Sequence, residues 1–262
     1  MPARDLVPYI DSLPPDLLQG NSPQSLIRER RAADVGTVSV LSGMAGYIDA
    51  FGFLSLVGLL PAHVTGELVG LTTAVTAGHV VNHASRFAVV PLFIVALVLA
   101  ALVTRSCRRR GESPRRALLG LMTGALVLCF LSVCIEPARG TLAFSLIIAL
   151  REGSAVAAMA FQNAFTREGM ASSCPTTVMT GNLTQVSFEL VDTLFARLGR
   201  NNTEGTHARA SSGTRLTLVA SALGAFFFGA VVGGTLTGLF GPISILVPML
   251  ASMLLFLRSA KR

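Results

Sequence analysis

The sequence predicts an all-α transmembrane protein with six membrane-spanning helices plus two short re-entrant or broken Thr-Gly segments, in two inverted repeats. Three observations lead there. The 262-residue chain is 52% hydrophobic and only 13% charged, with a mean hydropathy of +0.64, whereas a soluble domain carries about 25% charged residues. Runs such as 87–103 and 117–135 hold no charge at all and approach the roughly 20 residues a helix needs to cross about 30 Å of hydrocarbon. Third, a pattern occurs twice. Gly46-Tyr47-Ile48-Asp49-Ala50-Phe51, followed by Val64-Thr65-Gly66-Glu67-Leu68, returns as Ala160-Phe161-Gln162-Asn163-Ala164-Phe165, followed by Met179-Thr180-Gly181-Asn182-Leu183. Asp49 aligns with Asn163, and the Thr-Gly pairs align with one residue of slippage. Duplication inside apolar sequence points to two halves meeting at a pseudo-two-fold axis, a construction common among transporters and channels.

The elements follow in order. The first 34 residues are polar, proline-containing and of mixed charge, which predicts a flexible cytoplasmic tail, with room for a short surface helix, and no apolar core of a secretory signal. The first membrane repeat, 35–136, holds a helix from about Val35 to Leu60, a Thr-rich segment from His63 to Gly78, and helices over Arg86–Thr104 and Arg116–Ile135. The second repeat, 137–258, has a helix over Thr141–Thr166, a Thr-rich segment over Thr176–Leu194, and helices over Leu216–Leu239 and Ile243–Leu257, before a tail at 259–262. Turns are expected at Glu136-Pro137-Ala138-Arg139-Gly140 and Phe240-Gly241-Pro242, because proline and glycine stop a helix.

Charge placement decides the topology. If both Thr-rich segments crossed fully, as tilted helices, there would be eight spans. Arg105, Arg108, Arg109, Arg110, Arg115 and Arg116 would then face outward, against the positive-inside bias. With six spans these arginines lie in the cytoplasm, together with Arg28, Arg30, Arg31, Arg197, Arg200, Arg209, Arg215, Arg258, Lys261 and Arg262, and so do both termini. Three crossings per half invert the second half relative to the first. The Thr-rich segments then dip in from opposite sides, which backbone tolerates only where protein or a water-filled cavity satisfies it.

Several functions are set aside. The net charge of +7 falls between apolar runs, and a chain with no Trp and two Tyr offers no stacking platform, so nucleic acid is not an expected partner. The four cysteines form no CxxC pair, which argues for reduced thiols and against structural zinc. No metal and no cofactor is expected; His79 and His83, spaced i, i+4, are two ligands at most. No hydrolase elbow, zinc-protease motif or phosphate loop occurs, and the only lysine is Lys261, so the chain is not expected to be an enzyme.

The candidate site comes from polar residues at membrane depth. Asp49 lies in the first apolar helix, where an ionised carboxylate costs several kcal/mol unless it is paired, hydrated or protonated. Its counterpart Asn163, beside Gln162, supplies amide groups without charge. Thr65, Gly66 and Glu67, with Thr180, Gly181 and Asn182, form the second group: glycine permits a break and close backbone approach, and threonine satisfies freed backbone groups. Small-residue packing is the competing use, since Gly66 and Gly70, Gly120 and Gly124, and Gly229 and Gly233 all have GxxxG spacing. His63 titrates near neutral pH. Arg151 and Glu152 fall within the fifth apolar segment and each needs a partner elsewhere.

The blocks Ala45-Gly46-Tyr47-Ile48-Asp49-Ala50, His63-Val64-Thr65-Gly66, Gln162-Asn163-Ala164 and Pro175-Thr176-Thr177-Val178-Met179-Thr180-Gly181-Asn182-Leu183-Thr184 together resemble the YoaK family. The likeness runs from about Ser39 to Leu257. It implies a multi-helix protein of the bacterial inner membrane and supplies no substrate. Where that family reads Thr-Gly-Asn in both halves, this chain reads Thr-Gly-Glu at Glu67. The expected function is a secondary permease or channel for a small polar solute or ion. The solute-binding residues would be Asp49, His63, Thr65, Gly66, Glu67, Gln162, Asn163, Thr180, Gly181 and Asn182. The alternative is a non-transporting scaffold, sensor or partner subunit. Expected partners are the lipid bilayer and the unidentified solute, with a second copy of the chain left open.

Overall fold

The computed structural model describes residues 23–56, 58–76, 86–136, 138–169, 176–177, 179–198 and 206–259. The first 22 residues of the expected tail, the His79/His83 pair and Cys174 lie outside them. The described chain is helical, with no strand among the described residues. In order the elements are α1 (Pro23–Ser55), α2 (Val64–Thr76), α3 (Arg86–Arg109), α4 (Pro114–Val133), α5 (Leu142–Gly169), α6 (Met179–Leu198), α7 (Thr206–Phe240), a 3-10 turn (Gly241–Ile245) and α8 (Leu246–Ser259). One boundary moves. α1 begins at Pro23, so residues 23–34 continue the first helix instead of ending a flexible tail. Proline suits a first helical turn, and Arg28 to Ala33 are good helix formers with no glycine before Gly36.

Among the described residues, five stretches are long and apolar enough to cross a bilayer: Val35–Ser55, Phe87–Arg109, Pro114–Val133, Leu142–Glu168 and Leu216–Ser259. The last covers 44 residues and takes in α7 from Leu216 onward, the 3-10 turn and α8. The sequence divides it into two crossings at Gly241. The break is there, with Gly241 at φ +65°, but α8 alone has 14 residues, about 21 Å at 1.5 Å each. Length and composition therefore give five spans and do not by themselves give six. Neither Thr-rich segment is among the five. α2, at 13 residues, reaches about 20 Å and falls short of the hydrocarbon thickness.

Packing sets the helix directions. α1 and α7 run parallel in close contact: Gly43 lies against Ala225, Gly46 against Phe226, and Gly233 against Tyr47. A Cβ added at Gly229 would sit 1.9 Å from the Gly43 carbonyl oxygen, and one at Gly46 would sit 2.1 Å from that of Phe226. This is the Gly229/Gly233 spacing used for backbone-to-backbone approach. Tyr47 crosses beyond it to donate to the Ser244 carbonyl at 2.8 Å, tying the 3-10 turn to α1. α3 and α5 also run parallel, with Gly153 beside Leu92 and an Arg108–Glu168 ion pair. α4 is antiparallel to α5, and to α8 through Thr123–Ser252 at 2.6 Å and Arg116 over the Phe256 ring.

Arg151, an apparent liability within an apolar helix, caps α4. Its guanidinium donates to the carbonyls of Ser132 at 2.9 Å, Val133 at 3.4 Å and Ile135 at 2.6 Å. These are carbonyls that a helix C-terminus leaves without intrahelical partners, and the dipole there favours a cation. Cys107, Cys129 and Cys134 are free thiols.

The glycine contact makes a sharp prediction. Gly229→Ala would force α1 and α7 apart and destabilise the protein by about 1–3 kcal/mol or more. Gly224→Ala, whose added methyl meets nothing within 4 Å, would be near neutral. Thermal unfolding of the two purified variants, compared in one detergent, measures the difference.

Candidate functional site

α1 stops at Ser55, and the chain folds back on it before α2 begins. Gly58, at φ +76°, makes the reversal. Gly52 makes room for the returning chain, since a Cβ there would lie 2.5 Å from the Leu59 oxygen and 2.7 Å from the Pro61 ring. Backbone amides exposed by this break need partners, and two carboxylates provide them. The Leu60 N–H donates to Glu67 Oε1 at 2.8 Å, and the Ala62 N–H donates to Asp49 Oδ1 at 2.7 Å. The second Asp49 oxygen pairs with His63 Nδ1. Asp49 and Glu67 are 5% and 2% exposed, so both carboxylates are largely withdrawn from solvent.

The second half has its own version. Asn163 Oδ1 accepts from the Thr177 hydroxyl at 2.5 Å, and Gln162 Nε2 donates to the Leu41 carbonyl at 2.9 Å and to Thr176 Oγ1 at 3.1 Å. Asp49 to His63 and Asn163 to Thr177 each span 14 residues of sequence, and each contact lies just before the following helix, α2 with 13 residues and α6 with 20.

The starts of both helices open on one cavity of about 740 Å³. Of the ten candidate residues, His63, Thr65, Asn163 and Thr180 line it. Asp49 does not. It lines a separate apolar cleft of about 520 Å³ between α1 and α7, and His63 borders both. Gly66, Glu67, Gln162, Gly181 and Asn182 are not among the lining residues. Gly66 makes no close approach, as nothing lies within 4 Å of an added Cβ, and Asn182 is buried with its amide 3.9 Å from Met179 Sδ. Sequence reasoning missed Thr104, Thr177, Arg167 and Glu168, which also line the cavity. Thr177 was within reach, because it falls 14 residues after Asn163 as His63 does after Asp49. The others arrive through helix packing alone. The remaining wall is apolar and follows α3 from Phe93 to Thr104, a rise of about 16 Å.

The fold and cavity together define a multi-pass helical membrane protein with a largely apolar cavity that carries polar groups at the starts of α2 and α6. A family model described as a protein of unknown function, DUF1275, matches residues 37–258, and the chain belongs to that family. No curated protein and no solved structure matches it.

His63 lies between the first two candidate spans. The hydrogen bond to Asp49 raises its pKa above the ordinary 6.5, and this outweighs the lowering from burial. A histidine with a raised folded-state pKa contributes stability that is complete below its unfolded value and is lost as pH rises through the folded value. Wild type should therefore exceed His63→Gln in thermal stability at about pH 6, with the gap narrowing toward about pH 9. Melting curves of both proteins across that range check the sign, and a gap that widened with pH would contradict it.

Proposed function

We propose that this protein is a permease or channel for a small polar solute or ion, with the 740 Å³ cavity as its central site. The carrying observation is that polar residues from both parts of the sequence duplication, His63 and Thr65 with Asn163, Thr177 and Thr180, line one half-open cavity of an apolar helical bundle. Short or broken segments in corresponding positions of two halves are where transporters place their sites.

The reading includes six crossings and two inverted halves. Three features support it. The paired 14-residue contacts repeat between the halves. The parallel α1–α7 pair corresponds, half for half, to the parallel α5–α3 pair. Antiparallel α4 and α8 fit one outward and one inward crossing. The α3–α4 arginines, Arg167 and Arg258 share one end of the bundle, as Arg108–Glu168, Arg115 over Phe165 and Arg116 over Phe256 require. In a YoaK-like protein of the bacterial inner membrane that end is cytoplasmic, with both termini beside it. Rocking one half against the other would then expose the cavity alternately to the two sides.

The test is flux. Purified protein in proteoliposomes should accelerate entry of at least one member of a panel of small polar solutes and ions. Asn163→Leu, which removes the cavity amide and leaves Thr177 without its acceptor, should reduce that flux about tenfold, the equivalent of one lost hydrogen bond of about 1.4 kcal/mol. Equal rates with and without protein across the panel would replace this reading with the scaffold or partner-subunit one.

A further inference from the structure

We propose that the end of the bundle formed by α3 and α4 is a binding surface for an anionic phospholipid, with its phosphate headgroup on the arginines and its acyl chain along α3. The inference is independent of the permease reading and requires only that the chain sits in a bilayer. Residues 87–104 of α3 carry no charge, a rise of about 27 Å that nearly spans the roughly 30 Å of hydrocarbon. Arg105 therefore stands where hydrocarbon gives way to headgroups, and Arg108, Arg109 and Arg110 follow it into that layer.

The charge is concentrated. Between 105 and 116 the chain sets six arginines, Arg105, Arg108, Arg109, Arg110, Arg115 and Arg116, against one acid, Glu112, and all six are exposed. A short turn keeps both parts of the cluster together: Gly111, at φ +71°, reverses the chain, and the Glu112 N–H donates to the Cys107 carbonyl at 2.9 Å. Glu168 of α5 is already paired with Arg108. Arg105, Arg109 and Arg110 have no ion pair or ring contact among the described residues. Arg115 lies over the Phe165 ring at 5.7 Å and Arg116 over the Phe256 ring at 5.5 Å. Stacking occupies one face of each guanidinium and leaves its edge N–H groups for phosphate oxygens.

Apolar surface leads straight to these cations. On α3, the spacing of Val95, Leu102, Arg105 and Arg109 places them on one helix face. Val95 is 63% exposed and Leu102 61%, so a stripe of exposed hydrocarbon runs directly into positive charge. A phospholipid has the same order, acyl chain and then phosphate. A soluble polyanion would use the charge and leave the stripe bare, and a zwitterionic lipid would cover the stripe and leave the charge uncompensated. Four to eight basic residues beside a membrane helix form the pattern that attracts anionic lipid, each contributing about fivefold in affinity.

The experiment is native mass spectrometry of the full chain in a nonionic detergent, titrated separately with phosphatidylglycerol and phosphatidylcholine of matched acyl chains. Wild type should bind phosphatidylglycerol about tenfold more tightly, or better. The Arg105→Gln/Arg109→Gln double variant, changed at two exposed positions, should lose about twentyfold in phosphatidylglycerol affinity and keep its affinity for phosphatidylcholine. Arg105→Lys/Arg109→Lys should retain most of the binding, since attraction to the headgroup follows charge. Equal binding of the two lipids by folded wild type overturns the proposal, and so does a double glutamine variant that binds phosphatidylglycerol as wild type does. Two soluble competitors separate the other occupants: glycerol phosphate, which has the headgroup chemistry without acyl chains, and polyglutamate. Displacement of bound phosphatidylglycerol by either at equal concentration would overturn the proposal in favour of a free phosphate or an acidic protein. Displacement by neither supports the lipid. No arm of the experiment reads flux, so loss of the permease leaves this surface standing, and loss of this surface leaves the permease.

Discussion

Backbone inside hydrocarbon has no water to bond with, so every interruption of a helix there needs protein groups to take up the freed amides. The break between α1 and α2 lies outside the candidate spans but is largely buried in protein, so its amides face the same need. Asp49 reaches from α1 to the Ala62 N–H and Glu67 reaches back from α2 to the Leu60 N–H. Pro61, between them, has no N–H to satisfy. These two acceptors satisfy amides freed where the chain turns from α1 into α2, whose start borders the cavity. The same economy appears elsewhere. Arg151 takes up the terminal carbonyls of α4, and Gln162 donates to a carbonyl of α1.

This changes how intramembrane polar residues are read. A carboxylate in an apolar helix is by default a functional candidate, and Asp49 and Glu67 qualify on sequence. In the fold both are occupied with the backbone, and Asp49 also with His63. The groups that border the cavity are the more modest ones: threonine hydroxyls, the Asn163 amide, the His63 ring and Arg167. Asp49 and Glu67 shape the break, while the space beside it is bordered by these groups together with Glu168.

Much of the architecture was legible in the sequence because hydrophobicity is a local property. The helices over 87–103 and 117–135, the two Thr-rich segments that fall outside the candidate spans, and the turn at Gly241 all come from runs and stops along the chain. The first candidate span starts at Val35, as expected, while the helix extends back to Pro23 because the charged residues 28–31 also favour helix. Of the site, His63, Thr65, Asn163 and Thr180 were recognisable from the duplicated pattern. Thr104 and Arg167 were not. Each sits near a helix end with no motif around it, and only packing of α3 and α5 brings them to the cavity.

The sequence alone determined that the chain is a bundle of apolar helices, that it contains a duplicated pattern, and which short segments interrupt it. These depend on composition and order. Tertiary structure decided what each polar group is for. Whether a carboxylate binds a ligand or a backbone amide depends on what stands within 3 Å of it. For Asp49 that distance is set by the fold-back of the loop over Gly52, a contact between residues on either side of a turn that no periodicity encodes.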